Sequence, residues 1–400
     1  AAAQRMNHPP QLVLMLLLAA GSCRAQPAAT SAAAATGPLF RPASAAAVAL
    51  GGAPAHFAVG DFNGDRKPDI AAALGEGDAV AVLLGDGRGG LRPAAGSPFA
   101  AGEAPHLLAL GDFDGDGKLD AAASSHDSNA VVVLLGDGTG ALRPAPGSPF
   151  TAVTEVHPHN HGLIAADLDG DRALDLATSN QDGHSVAVLR GDGRGSFRPA
   201  AGSPFAVGRG PYPLAVGDVN GDGRLDLATP DVRSDTVTVL LGQGEGGFVP
   251  APGSPHRVVA RPFFVHLGDL DGDGVLDLAA SHDDVHTVTV LVGDGRGGFR
   301  AGPAAETTGR GSKIAAADTD RDGRPDLLLG GVGGVHVLLN QGDGRFRPAP
   351  GSPVGSGADA WAWAAADLDG DGAADLVVPD RAARGLVVLL GRRPGSRARP

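Results

Sequence analysis

Seven times along a chain of 400 residues, oxygen-bearing side chains recur at positions 1, 3, 5 and 9 of a short segment punctuated by glycine. The second copy, "DFDGDGKLD" at 112–120, is the plainest. Carboxylates held a few ångströms apart repel, so without a cation such a segment opens and its pKa values rise. Oxygen-only side chains, with a backbone carbonyl available at position 7, suit a hard cation. Calcium fits better than magnesium, because it takes about six to eight oxygens in flexible geometry. The candidate ligands are Asp61, Asn63, Asp65 and Asp69; Asp112, Asp114, Asp116 and Asp120; Asp167, Asp169, Asp171 and Asp175; Asp218, Asn220, Asp222 and Asp226; Asp269, Asp271, Asp273 and Asp277; Asp318, Asp320, Asp322 and Asp326; and Asp367, Asp369, Asp371 and Asp375. They hold 26 of the 45 acidic residues, and seven divalent cations would take the net charge from −13 to about +1.

Neither an EF-hand nor a plain turn accounts for the pattern. An EF-hand begins the same way but needs glutamate at loop position 12 and a helix on each side. Position 12 is Ala123 in the second copy and Thr178 in the third, and the flanks read as strands. Solvated Asp-Gly turns leave the aspartate at position 9, where the next strand starts, without a reason.

The elements that must position these residues follow from the repeat. The first aspartates are separated by 51, 55, 51, 51, 49 and 49 residues. Each copy runs from an apolar stretch such as "HLLALGDF" through the acidic loop to "LDAAAS". A polar loop, "VVVLLGDGTG" and "ALRPAPGSPF" follow. That is four strands with a turn at every junction and no sustained helical periodicity. Seven four-stranded units of this length predict an all-β, seven-bladed β-propeller, in which each blade covers its neighbour. The last repeat ends at "GLVVLLG" without a fourth strand, while "LFRPAS" at 39–44 matches "LRPAAG" at 91–96. The N-terminal strand is therefore expected to complete the last blade and close the ring, removing an exposed edge.

With loop, period, copy number and closure in hand, the chain resembles the FG-GAP or VCBS repeats of integrin α-chain-like propellers. The resemblance covers about residues 38–391. It implies that each loop joins the first and second strands of a blade and binds one structural calcium, up to seven in all. Arg66 and Arg172 replace glycine at position 6, and Arg321 replaces it at position 4, so those loops are expected to bind more weakly.

What differs between repeats points to a partner. The residue six before each first aspartate is Ala55, His106, His161, Tyr212, Phe263, Ser312 or Trp361, five of them ring-bearing in a chain only 4% aromatic. This position opens the innermost strand, at the end opposite the acidic loops. His126, His184, His282 and His286 fall in loops expected on the same face, and His157, His159 and His161 lead into the third blade. His106, His161, Tyr212, Phe263 and Trp361 are the candidate ligand face, offering stacking and hydrogen bonding. Ordinary rim packing is the alternative.

Composition bounds the remainder. A net charge of −13 argues against nucleic acid or an anionic membrane as the main partner. One cysteine, Cys23, excludes an internal disulfide. "LVLMLLLAA" at 12–20 has signal-peptide length. Residues 1–25 are read as a signal segment, 26–37 as a flexible linker, 38–391 as the propeller and 392–400 as a basic tail. Either Cys23 is the lipidated residue of a lipobox-like "AAGSC", or the segment is removed after "CRA". Secretion, a periplasmic location or the cell surface is expected, with membrane contact only through such an anchor. "GDGRGG" at 85–90 resembles a dinucleotide fingerprint but precedes a strand, and "RGD" at 190–192 varies the "LGD" of its sister repeats. The expected function is a monomeric, calcium-stabilised module that binds a protein or glycan and is not an enzyme. The alternatives are a lyase or hydrolase using the histidines, and a purely structural surface protein.

Overall fold

The computed structural model describes residues 39–43, 47–125, 128–153, 159–307, 311–355 and 360–391. The expected signal segment, Cys23, the linker, the basic tail, His126 and His157 lie outside them. Seven antiparallel sheets follow one another along the described chain. In the second, Pro105–Gly111 is innermost, followed by Asp120–Ser125, Ala130–Gly136 and Leu142–Pro144. Innermost strands of adjoining sheets touch, as Pro105–Gly111 touches His56–Gly60, so the sheets ring a common axis as propeller blades.

Closure is as expected. Phe40–Pro42 pairs antiparallel with the third strand of the last blade, Phe40 opposite Gly391 and Pro42 opposite Leu389. Val48–Ala49 pairs with Leu386 and Gly385 further along it. The core lies between blades rather than within them. Each of seven buried apolar clusters is shared by two neighbours: Val131, Val133 and Leu135 of the second blade pack with Leu163, Leu176 and Leu189 of the third. Strands such as Asp69–Leu74 are buried along their whole length, which is why "IAAAL" does not alternate.

The blades are four-stranded as expected, with one detail the sequence did not show in the outer strand. This strand breaks after three residues and resumes as a two-residue strand on the same partner, as Leu142–Pro144 and Phe150–Thr151 do against Ala130–Gly136. In the gap, the Val133 amide donates to the Ser148 hydroxyl at 2.9 Å. Ser97, Ser203, Ser254 and Ser352 do the same in other blades, at 2.9 Å each. The serine of the repeated "GSP" therefore fills a backbone bond that the interrupted strand leaves unmade. No helix among the described residues is long and apolar enough to cross a membrane.

Candidate metal loops and a ring-lined face

Each acidic loop joins the inner strand of a blade to its second strand. In the second blade, the Asp112 carboxylate accepts the amides of Gly115 (2.8 Å), Asp116 (3.1 Å) and Gly117 (2.9 Å). Asp114 accepts the Asp116 amide at 3.2 Å, and Asp116 accepts that of Lys118 at 3.0 Å. Positions 4 and 6 must turn left-handed, and Gly115 (φ 76°) and Gly117 (φ 81°) do so. The three arginines at these positions adopt the same conformation: Arg66 at φ 65°, Arg172 at 76° and Arg321 at 64°. The loop geometry is retained there despite a side chain that disfavours it.

Position 9 has a role that spacing did not reveal. Asp120 is buried, and its two oxygens accept the amides of Phe113 and Gly136, each at 2.7 Å. The same pair of bonds recurs on Asp69, Asp175, Asp226, Asp277, Asp326 and Asp375. Each of these carboxylates ties the loop's second residue to the last residue of the third strand. Burial, reinforced by neighbouring carboxylates, pushes Asp120 and Asp175 up to about 7 and Asp375 up to about 6. Asp326, which also accepts the Thr319 hydroxyl, rises to about 6.

The loops lie at blade junctions. The Gly195 amide of the third blade donates to the Phe113 carbonyl in the second blade's loop at 2.9 Å, and Gly297 donates to Val219 at 3.3 Å. In five loops, three carboxylates bring one oxygen each to within 4.8 Å of one another. These are Asp112, Asp114 and Asp120; Asp167, Asp169 and Asp175; Asp269, Asp271 and Asp273; Asp318, Asp320 and Asp326; and Asp367, Asp369 and Asp371. The first and fourth loops carry asparagine, Asn63 and Asn220, in place of one carboxylate. Basic side chains offset further charge. Lys118 Nζ lies 2.7 Å from Asp116, Arg224 lies 2.6 Å from Asp222, and Arg321 reaches Asp371 of the next blade at 3.2 Å. Arg190, of the "RGD" tripeptide, is held against Asp169 and Asp171. Converging hard oxygens at a turn fit a calcium-sized cation.

At the other end of the inner strands, roughly 20 Å away at strand rise, lie the ring-bearing residues. They meet in sequence around the axis. His106 and His161 are 6.0 Å apart edge to face; His161 stacks on Tyr212 at 4.3 Å and 9°; Tyr212 meets Phe263 at 4.5 Å; and Phe263 meets Trp361 at 5.7 Å. Trp361 is 43% exposed. In the sixth blade Ser312 is buried, its hydroxyl donating to the Gly330 carbonyl at 2.9 Å, and Trp361 reaches past it to Phe263. Polar and charged groups border the arc: His159 Nδ1 lies 2.8 Å from Asp182, which also takes Arg233 at 3.0 Å, and Arg261 pairs with Asp284 at 3.0 Å. His282 does not join this surface. It ends the second strand of the fifth blade, fully buried, bonded to the Ala260 carbonyl and Thr289 hydroxyl. His286 is exposed and His184 half-buried in their loops. "GDGRGG" forms the turn before Leu91–Pro93, as its strand context predicts.

The family pattern described as FG-GAP-like repeat matches residues 61–123, 112–178, 167–229, 269–329 and 318–378, spans that include all seven loops. The chain belongs to the FG-GAP-like repeat family. This FG-GAP-like propeller is 26% identical over 310 residues to integrin alpha-V of Gallus gallus, covering 68% of the chain and 29% of that relative's length. Among solved structures it resembles an Agrocybe aegerita lectin that recognises non-reducing terminal N-acetylglucosamine. The TM-score is 0.51 at 21% identity, over 73% of this chain and 78% of the lectin. It also resembles BBS1N in complex with ARL6DN, with a TM-score of 0.61 at 12% identity, over 90% and 98% of the two chains. These structural likenesses bear on the fold.

Proposed function

We propose that this FG-GAP-like propeller is an exported binding or adhesion module for a protein or glycan. The aspartate loops bind structural calcium, and the ligand is met by His106, His161, Tyr212, Phe263 and Trp361. The observation that carries this reading is the unbroken arc of ring contacts from His106 to Trp361. Trp361 is exposed and His106, Tyr212 and Phe263 are half-buried, with the buried His161 backing Tyr212. The accessible rings offer apolar surface beside hydrogen-bonding groups, the combination that suits a sugar face or an aromatic side chain. Membership of a family with an integrin α relative supports binding over catalysis. The 28 loop residues named above are the proposed calcium ligands. Where all four positions are aspartate, position 9 anchors the loop through two amides, and in the second, third and sixth loops its oxygen also converges with those of positions 1 and 3. Bound calcium would neutralise the loops and fasten one blade to the next. The same reading assigns 1–25 to a signal segment with Cys23 either lipidated or removed, 26–37 to a linker, and 392–400 to a basic tail on a monomer.

The test is a glycan array probed with residues 38–400 in calcium, with a chelator control and the Tyr212→Ala and Trp361→Ala variants beside it. Calcium-dependent hits lost in both variants are expected. Hits that both variants retain would move the ligand away from the arc.

A further inference from the structure

The chain has three lysines, Lys67, Lys118 and Lys313. Lys67 and Lys118 are exposed and paired with Asp65 and Asp116 in their own loops. Lys313 differs in every respect. It is the third residue of the innermost strand of the sixth blade, Gly311–Ala317, next to Ser312 of the arc position, and its amine lies among groups from other blades. Its Nζ lies 3.2 Å from His56 Nε2 of the first blade and donates to the Trp363 carbonyl of the seventh at 2.9 Å. Its own strand, Gly311–Ala317, carries no acidic side chain, and no ion pair to Lys313 occurs among the described residues.

The proton count at His56 decides the state of this lysine. The Leu108 amide donates to His56 Nδ1 at 3.3 Å, so in the neutral ring the proton sits on Nε2 and points at Lys313. An ammonium has three donors and no acceptor, and would meet that proton head-on; an amine has a lone pair to receive it. The chain Leu108 amide, His56, Lys313, Trp363 carbonyl is satisfied from end to end when Lys313 is an amine. The Trp363 ring, 5.7 Å from Nζ, sits near the outer limit of cation–π attraction and holds an ammonium weakly. The titratable groups near this point are His56 and, behind it, His106; the inner strand packed alongside, Pro262–Gly268, carries the buried His266, which burial holds down to about 4. Burial holds His56 well below the usual histidine range, with Lys313 and His106 adding to it. Burial pushes Lys313 down to about 8. His56 and Lys313 are each half-buried rather than fully enclosed.

We infer that Lys313 is the amine through which this propeller condenses with a small aldehyde or ketone. The amine nitrogen adds to the carbonyl carbon, its proton passes to the oxygen, and that oxygen leaves as water while the carbon–nitrogen double bond forms. No oxidant or reductant is consumed. His56 Nε2–H stands beside the nitrogen to hold the lone pair before attack.

Formaldehyde is the smallest probe. The intact, calcium-loaded chain is treated at about pH 7 with limiting formaldehyde and cyanoborohydride, which traps the imine as a methylated amine, and each lysine is followed by peptide mass spectrometry. Each unit of pKa lowering gives about ten times more amine at this pH, so Lys313 should be labelled at least roughly ten-fold faster than Lys67 or Lys118. In His56→Phe, with native folding checked by circular dichroism, that advantage should fall several-fold. Labelling of Lys313 no faster than the two exposed lysines overturns the inference on the unaltered protein. An undiminished rate in a folded His56→Phe variant overturns the hydrogen-bonded arrangement on which it rests.

Discussion

The two ends of the inner strands obey different rules. At one end the same nine-residue grammar is repeated seven times, and even the arginines that replace glycine keep its left-handed backbone. At the other, one structural position is occupied by Ala55, His106, His161, Tyr212, Phe263, Ser312 and Trp361. Identical parts arranged in a ring serve the ring: each holds its blade to the next, and none is special. Unlike parts brought into one contact are, on the reading proposed above, available to something outside the ring. On that reading the loop end supplies stability and the ring-lined end selectivity, and each assignment can be broken separately.

The largest effect should come from removing calcium. A site filled at a hundred times its dissociation constant contributes about 2.7 kcal/mol, and several such sites add. Chelation is expected to lower the melting temperature by roughly ten degrees or more, read by scanning calorimetry. An unchanged melt, with metal analysis showing a metal-free protein, would end the structural role of calcium and with it the loop half of the comparison.

The second effect separates the two jobs inside one loop. Asp277 in the fifth blade accepts the Leu270 and Gly293 amides at 2.9 Å each. Asp273 is exposed and converges with Asp269 and Asp271. Asp277→Ala leaves two buried amides without acceptors, at a cost of about 1–3 kcal/mol each. The loss should appear with or without calcium. Asp273→Ala should change stability by less than about 0.5 kcal/mol in chelator and by more in calcium. Equal behaviour of the two variants in both buffers would show that position 9 acts only as a ligand and not also as an anchor.

The third effect is one of sign. Asp120 and Asp175, at about 7, and Asp326 and Asp375, at about 6, stand above their unfolded values without metal. At these four carboxylates the folded state binds more protons than the unfolded state between about pH 4 and pH 7, so their contribution to stability falls as pH rises through that window, while the buried His56 and His266, held below their unfolded values, contribute with the opposite sign. In chelator, acidification from about pH 7 to about pH 5 should raise the melting temperature of the parent relative to that of an Asp120→Asn/Asp175→Asn variant. In calcium the same change should lower it, because protons then displace the cation. Parallel slopes in the two buffers would contradict this.

Much of this was legible in the sequence, for physical reasons. A period near fifty residues with one acidic loop per copy gives the blade number, because no blade covers its own faces. The displaced "LFRPAS" gives the closure. What stayed hidden depends on register and on distance along the chain. The second partner of Asp120 is Gly136, known only once the hairpin pairing is fixed. The serine of "GSP" looks like a turn residue until the interrupted strand shows the amide it satisfies. His282 reads as a loop residue by position, but the second strand extends to include it. The order of the arc follows from repeat order, whereas its closeness depends on the diameter of the ring. Lys313 and His56 are 257 residues apart, and only the closed ring places them together.

The smallest effect on stability sharpens the other half of the comparison, and two tryptophans supply it. Trp363 is fully buried in the junction between the sixth and seventh blades, with its indole N–H donating to the Lys313 carbonyl at 3.3 Å. Its replacement by alanine should cost about 3–5 kcal/mol. Trp361, two residues earlier, is 43% exposed and rests edge-on against Phe263. Trp361→Ala should cost less than about 1 kcal/mol, so its melt should nearly overlay the parent's. A half-exposed indole contributes little to the ring but offers a ligand a large rigid surface at small entropic cost. If Trp361→Ala destabilises the chain as much as Trp363→Ala does, the arc is inter-blade packing that happens to reach the surface. If it leaves the melt in place and removes ligand binding, the two ends of the propeller have separate work.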